Sequence, residues 1–210
     1  NQIAEDAFSR TRTSGWGSAD VGGDWTLNTS SPFSTDGSNG VVTVNAGATR
    51  QALLNSVSAR DVSIVTDFTL DKAPAGGSYY QQVLARVVGS STYYSLTARL
   101  EADGVMRVYV ARVVSGTETV VKNTTVTGFN YTAGEKLKVR FDVSGNGTTT
   151  LAGKVWRAGD AEPTAATVSG TDTTAALQVA GAMGLKFYAG SSMTSVPLTV
   201  KLSDFSAEPK

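Results

Sequence analysis

Tyr93-Tyr94-Ser95-Leu96-Thr97-Ala98-Arg99-Leu100-Glu101-Ala102-Asp103-Gly104-Val105-Met106-Arg107-Val108-Tyr109-Val110 is the segment on which the fold turns. Two runs of alternating apolar and polar residues flank an Asp-Gly pair, the mark of an antiparallel hairpin. With Ala102-Asp103-Gly104 as a three-residue loop and Gly104 at its left-handed position, Glu101 faces Val105, Arg99 faces Arg107 and Thr97 faces Tyr109. The other face then pairs Leu100 with Met106, Ala98 with Val108 and Leu96 with Val110. A two-residue loop would put Arg99 beside Val108 and mix the faces, so the three-residue loop is expected. The result is a ribbon with one apolar face for a core and one polar face carrying Tyr93, Ser95, Thr97, Arg99, Arg107 and Tyr109.

The same period-two pattern recurs along a chain rich in Thr, Val, Ser and Gly, with no helical stripe of useful length. It predicts strands at Asp24 to Asn28, Val41 to Val44, Arg60 to Leu70, Tyr79 to Val88, Thr92 to Glu101 and Val105 to Val114. Further strands follow at Thr117 to Val121, Lys136 to Val143, Thr148 to Trp156, Ala182 to Tyr188 and Val196 to Ser206. Turn chemistry separates them, for example Asp36-Gly37, Asn39-Gly40, Gly145-Asn146-Gly147 and Gly190-Ser191-Ser192. About eleven strands at this spacing imply an all-β fold, an antiparallel β-sandwich of two packed sheets. Ala161 to Val179 reads as a long loop with a helical turn at Thr173 to Leu177.

The 210 residues, 40% of them hydrophobic and 17% charged, with no linker between segments, predict one β-rich domain over 1–210. Eighteen basic and eighteen acidic side chains cancel to a net charge of +0, so no long-range field favours a nucleic acid partner. With Cys 0 and His 0, thiolate nucleophiles, zinc-thiolate sites, Ser-His-Asp relays and imidazole switches are excluded. No run of about 18 apolar residues occurs, so membrane insertion is not expected. The opening Asn1 to Arg12 lacks the basic-then-apolar layout of a signal peptide.

Continuing the alternation into the preceding strand adds Gln82 and Arg86 to the polar face of the hairpin. Gln82, Arg86, Thr97, Arg99, Arg107 and Tyr109 form the candidate binding face, since guanidiniums, a phenol and hydroxyls suit sugar hydroxyls or carboxylates. The competing reading is an ordinary solvated sheet surface. Trp25 and Trp156 lie in alternating runs and are expected in the core, whereas Trp16, between glycines, is left open between core and sugar contact.

The opening Glu5-Asp6-Ala7-Phe8-Ser9-Arg10 and Gly15-Trp16-Gly17-Ser18-Ala19-Asp20-Val21-Gly22-Gly23-Asp24-Trp25 resemble the start of a laminin G-like, concanavalin A-like jelly-roll domain. Such domains are common in actinobacterial secreted proteins and the tail proteins of their phages. Ser56 to Val65, Leu84-Ala85-Arg86-Val87, Lys154-Val155-Trp156, Gly184-Leu185-Lys186-Phe187-Tyr188 and Leu202-Ser203-Asp204-Phe205-Ser206 follow in the family's order, so the likeness covers nearly the whole chain. The resemblance implies two curved antiparallel sheets, glycan recognition in many relatives, an extracellular or virion-surface location, and often a calcium ion. In related lectin-glucanase folds calcium sits where the first and last strands meet. Mapped here, its ligands would be Glu5 or Asp6, Gly37 or Gly40, and Asp204, with Asp6, Gly40 and Asp204 the preferred set. Where relatives carry two adjacent acids in the last strand, this chain has Ser203 before Asp204. The alternative is that Asp6 and Asp204 cap strand ends or bind backbone.

Glycosidase chemistry needs two carboxyls about 5–9.5 Å apart. The glucanase pattern E-x-D-x-x-E is absent, and Glu101-Ala102-Asp103 is already explained by the hairpin turn. Leu185-Lys186-Phe187-Tyr188-Ala189-Gly190 echoes a motif of jelly-roll polysaccharide lyases, but their Gln-x-His element has no counterpart. Gly15-Trp16-Gly17 and Gly22-Gly23 precede no helix and form no phosphate cradle. The expectation is a non-catalytic glycan-binding domain, repeated in a larger assembly. A protein-binding assembly domain and an enzyme with an unrecognised acid pair are the alternatives.

Overall fold

A strand that alternates apolar and polar residues can bury one face and leave the other in water, and most strands of this chain do so. The computed structural model, which describes Asn1–Lys210, contains seventeen strands and one short 3-10 turn, Ala175–Leu177. The strands are β1 Ala4–Asp6, β2 Thr11–Arg12, β3 Thr26–Leu27, β4 Phe33–Asp36, β5 Gly40–Val44, β6 Thr49–Ala59, β7 Val62–Leu70, β8 Tyr79–Val87 and β9 Tyr93–Leu100. They continue as β10 Met106–Val114, β11 Thr117–Val126, β12 Lys136–Ser144, β13 Thr149–Arg157, β14 Val168–Asp172, β15 Gly181–Ala189, β16 Leu198–Leu202 and β17 Phe205–Pro209.

Ten strands make one sheet, in the order β14-β13-β12-β7-β16-β5-β4-β2, with β17 also beside β7 and β1 beside β17. Seven make the other, in the order β11-β10-β9-β8-β15-β6-β3. The two pack face to face as the expected antiparallel sandwich. Ile64, Phe68, Phe141, Leu151, Val200 and Phe205 from the first sheet meet Leu54, Val83, Tyr94, Leu96, Val108 and Phe187 from the second in one continuous core.

The diagnostic hairpin has the register its sequence dictates. Leu100 pairs with Met106, Arg99 with Arg107, Ala98 with Val108, Thr97 with Tyr109 and Leu96 with Val110. Glu101 N–H donates to the Val105 carbonyl at 2.9 Å, and Gly104 turns the chain with φ 81. The inner face from Leu96 to Val110 is 1% exposed or less at every position.

Three departures from the strand pattern have physical causes. The long β6 was not expected, because Ala52-Leu53-Leu54 is a continuous apolar run and its pairing with β15 shifts register between Gly181 and Met183, breaking the period. Val196 to Ser206 is two strands rather than one: β16 pairs with β5, and after Ser203-Asp204 the chain moves over to pair as β17 with β1 and β7. Part of the expected loop, Val168–Asp172, is strand β14 on the edge of the larger sheet.

Candidate functional site

The outer face of the seven-stranded sheet is built from cross-strand rows. One row runs Thr49, Tyr188, Tyr80, Arg99, Arg107, Thr125 across β6, β15, β8, β9, β10 and β11. The next runs Gln51, Lys186, Gln82, Thr97, Tyr109, Asn123. The third, Leu53, Gly184, Leu84, Ser95, Ala111, Val120, is mostly buried, with Leu53 and Leu84 in a small apolar cluster with Tyr93 and Val113 that borders the polar rows. Two adjoining depressions lie on the face, of about 370 Å3 beside Tyr80, Gln82, Lys186 and Tyr188 and about 410 Å3 beside Arg99, Arg107 and Asn123. Tyr109 and Glu118 line both, which makes one groove. Five inter-strand steps from β6 to β11 give it a length of about 24 Å.

The groove is a mixture of flat rings and fixed polar groups. Tyr80 and Tyr188 lie with ring centroids 5.4 Å apart at 51°, and the Arg99 guanidinium covers Tyr80 at 5.1 Å. Glu101 accepts a hydrogen bond from Arg107 Nε at 2.7 Å and faces Arg99 Nε at 3.4 Å, so one carboxylate orients two guanidiniums. Gln82 Nε2 donates to Thr97 Oγ1 at 2.9 Å, and Lys186 Nζ donates to the Tyr93 hydroxyl at 3.1 Å. Burial, with help from Glu118, pushes the Tyr109 phenol up to about 12. Burial also raises the Glu118 carboxyl, while Lys186 pulls it down.

Five of the six expected face residues, Gln82, Thr97, Arg99, Arg107 and Tyr109, lie in adjacent rows of this face, but Thr97 is fully buried beneath its neighbours and lines neither depression, so its expected ligand contact is corrected. Arg86 does not lie there, and its place on the face is corrected. Where β8 meets β15 the register shifts between Ala182 and Gly184, so Ala85 and Arg86 bulge out of the alternation. Arg86 takes φ 49 and swings into the interior, fully buried. There it donates to the carbonyls of Arg60 (2.8 Å), Leu177 (2.9 Å) and Gly145 (2.7 Å) and to Thr149 Oγ1 (2.8 Å).

Tyr80, Lys186, Tyr188, Thr49 and Glu118 were missed from the sequence. Alternation with Gln82 already placed Tyr80 on the face. Lys186 and Tyr188 alternate on β15, but nothing local says that β15 lies beside β8.

Two of the preferred calcium ligands, Asp6 and Gly40, are engaged in other ways. Asp6 accepts Arg10 Nη1 and Nη2 at 2.8 Å each, Phe8 N–H at 2.8 Å and Trp25 Nε1 at 2.7 Å, so a guanidinium already supplies the positive charge. Gly40 is locked in β5 between Thr35 and Leu202. Asp204 precedes Phe205, the cross-strand partner of Asp6, and burial and the nearby Asp67 and Glu5 carboxylates raise its carboxyl. No three acidic side chains converge to hold a metal. Of the alternatives, Glu5 lies on the opposite side of β1 from Asp6, with its carboxylate near those of Asp204 and Asp67. Trp25 and Trp156 are buried as expected, and Trp16 joins them at 0% exposure. No helix is long and apolar enough to cross a membrane.

The chain matches no protein-family model and no curated protein. Solved structures share its fold. The CBM2 module of the evolved Dit of Lactobacillus casei BL23 phage J-1 superimposes with a TM-score of 0.63 at 11% identity, over 98% of this chain and 94% of that one. Carbohydrate-binding module CBM66 from Bacillus subtilis gives a TM-score of 0.54 at 11% identity, over 80% and 86%. Alginate lyase Aly36B gives 0.65 at 9% identity, over 98% and 96%. At these identities the likeness is one of fold.

Proposed function

We propose that this chain is a non-catalytic carbohydrate-binding domain that holds an extended stretch of glycan in the groove across its seven-stranded sheet. The observation that carries the reading is the pair of adjacent rows: Tyr188, Tyr80, Arg99 and Arg107 beside Lys186, Gln82 and Tyr109. Rings supply flat apolar contact for sugar C–H faces, and the guanidiniums, amide and hydroxyls supply directed hydrogen bonds. The fold shared with two carbohydrate-binding modules, one of them from a phage Dit protein, agrees with this use. It also agrees with a laminin G-like domain at an extracellular or virion surface, where repeated copies in a larger assembly would add avidity.

Two of the groove's titratable groups are poorly set to act as a base, while Glu118, raised by burial, is the one acid there that catalysis could use. Glu101 is held between Arg99 and Arg107, and Tyr109, at about 12, stays protonated at neutral pH. A glycan array followed by titration of the best ligand is the test. Tyr80→Ala with Tyr109→Ala should weaken binding by about tenfold or more. Undiminished affinity in a folded double variant refutes the groove. Release of reducing ends or unsaturated sugars from any polysaccharide in the panel refutes the non-catalytic reading. An ordered oligomer with no glycan binding would point instead to an assembly domain.

A further inference from the structure

A further depression of about 460 Å3 lies apart from the groove. It opens at the sandwich edge where β2 and β3 end, among the loops around Trp16, and shares no lining residue with the groove. Its walls carry Arg12, Ser14, Ser18, Asp24 and Ser30, with Trp25 and Leu27 beneath them.

Two features mark it as a built site. The first is rigidity without regular structure. The Trp16 ring is fully buried and packs edge-on against Phe8, Trp25 and Phe33 at centroid distances of 5.0, 5.2 and 5.1 Å. Gly15 N–H donates to the Phe33 carbonyl at 2.8 Å, Trp25 N–H donates to the Gly17 carbonyl at 3.0 Å, and Arg10 Nε donates to the Trp16 carbonyl at 2.6 Å. The loop is therefore held in one shape, which reduces the ordering cost of binding.

The second is a positioned but unpaired charge. Arg12 lies across Gly17: a Cβ there would meet Arg12 Cδ at 3.1 Å, and Gly17 has φ 71, so only glycine leaves this space for the side chain. No carboxylate ion-pairs with Arg12, although twelve other cationic side chains have such a partner. Across the same depression Asp24 accepts a short hydrogen bond from Ser18 and has no cationic partner of its own.

The geometry points to a second, independent sugar site that takes one neutral terminal sugar ring. The charge pattern selects that class. An anionic ligand would meet Asp24 and a cationic one Arg12, whereas a neutral polyol can donate to Asp24 and accept from Arg12 at once, with the Ser14 and Ser30 hydroxyls able to do either and that of Ser18, which donates to Asp24, able to accept. The volume suits a small ligand, and the lining is mostly polar, with Trp16, Trp25 and Leu27 its only apolar residues and the Trp16 ring buried, which favours one polar ring over an extended chain.

The probes are methyl glycosides of glucose, galactose, mannose and xylose, with methyl glucuronide as the charged contrast, titrated against the isotope-labelled chain. Amide shifts at Gly15, Gly17 and Ser18 read this pocket, and those at Tyr80 and Lys186 read the groove, so the two sites stand or fall separately. At least one neutral glycoside should move the pocket amides, and Arg12→Gln or Asp24→Asn, both at exposed positions, should weaken that response about tenfold. The proposal is overturned if no neutral glycoside moves them, if only the glucuronide does, or if the response survives both substitutions in a folded chain.

Discussion

Arg86→Met removes the guanidinium that ties the seven-stranded sheet to three separate segments and leaves a side chain of similar length. Four acceptors lose their donor: the carbonyls of Arg60, Gly145 and Leu177, and Thr149 Oγ1. Hydrogen bonds to a charged group contribute about 1.5–3 kcal/mol each, but they are not additive, and removing one member of a buried charged network costs about 3–5 kcal/mol. The nearby Asp61, at 3.6 Å and partly in water, adds little. A loss of about 4 kcal/mol lowers the melting temperature of a chain this size by roughly 8–16 °C. Urea unfolding and calorimetry measure it, with Arg140→Met as a surface control expected to cost about 1 kcal/mol or less. Glycan affinity, read well below the melting temperature, should be unchanged in the Arg86 variant because the side chain faces the core. A cost below about 1 kcal/mol, or intact stability with lost binding, refutes this placement of Arg86.

Other expectations follow from the same bonds. At Asp36, partial burial raises the carboxyl, but hydrogen bonds from Lys201, Ser38 and Asn39 outweigh it and hold the group at about 2. A depressed folded pKa stabilises above the unfolded value of about 3.9 and loses that contribution as pH falls toward 2, so Asp36→Asn should flatten the acid limb of the stability curve between those values. An unaltered limb would count against it. Asp6→Asn should cost about 3 kcal/mol in denaturant unfolding, since an amide cannot accept both Arg10 bonds. Chelation by EDTA should leave the melting temperature of the unaltered chain where it was, and a drop of several degrees would show that a cation holds this corner. Gly104→Ala, at φ 81, should cost about 1 kcal/mol or more without moving the hairpin register, as strand chemical shifts would report.

The sandwich was legible because its inner faces obey one simple rule. From Leu96 to Val110 the period of two fixes which side chains are buried, and a single Asp-Gly turn fixes the register. Legibility failed where the backbone departs from that period. One extra residue at Ala85-Arg86 reverses the direction of Arg86, and the irregular pairing of β6 hid an eleven-residue strand. The groove was half readable for a different reason. Gln82, Thr97, Arg99, Arg107 and Tyr109 lie on strands consecutive in sequence, so local alternation gathers them. Lys186 and Tyr188 reach the same face from a strand about a hundred residues away, and strand order is set by packing of the whole chain. At Asp6 nothing in the sequence signals that Arg10, four residues on, supplies a fixed positive charge where the resemblance implies a cation.

Arg99 and Arg107 are direct cross-strand neighbours, and like charges in that relation oppose sheet formation by roughly 0.2–1 kcal/mol. Glu101 offsets this by touching both, yet one carboxylate between two guanidiniums leaves a positive charge uncompensated at that end of the groove. A sheet face with no task beyond solubility would be more stable with a hydroxyl or an acid opposite Arg99. On the proposed function, the pair is a position where stability is given up for ligand contact, as binding sites commonly do. Arg107→Thr tests this directly. It removes the repulsion, retains a good strand former and leaves Glu101 with Arg99 alone, so stability should rise slightly or stay level while glycan affinity falls. The opposite outcome, lower stability with affinity intact, would identify the Arg99-Glu101-Arg107 cluster as glue for the hairpin and move the binding surface toward Tyr80, Lys186 and Tyr188.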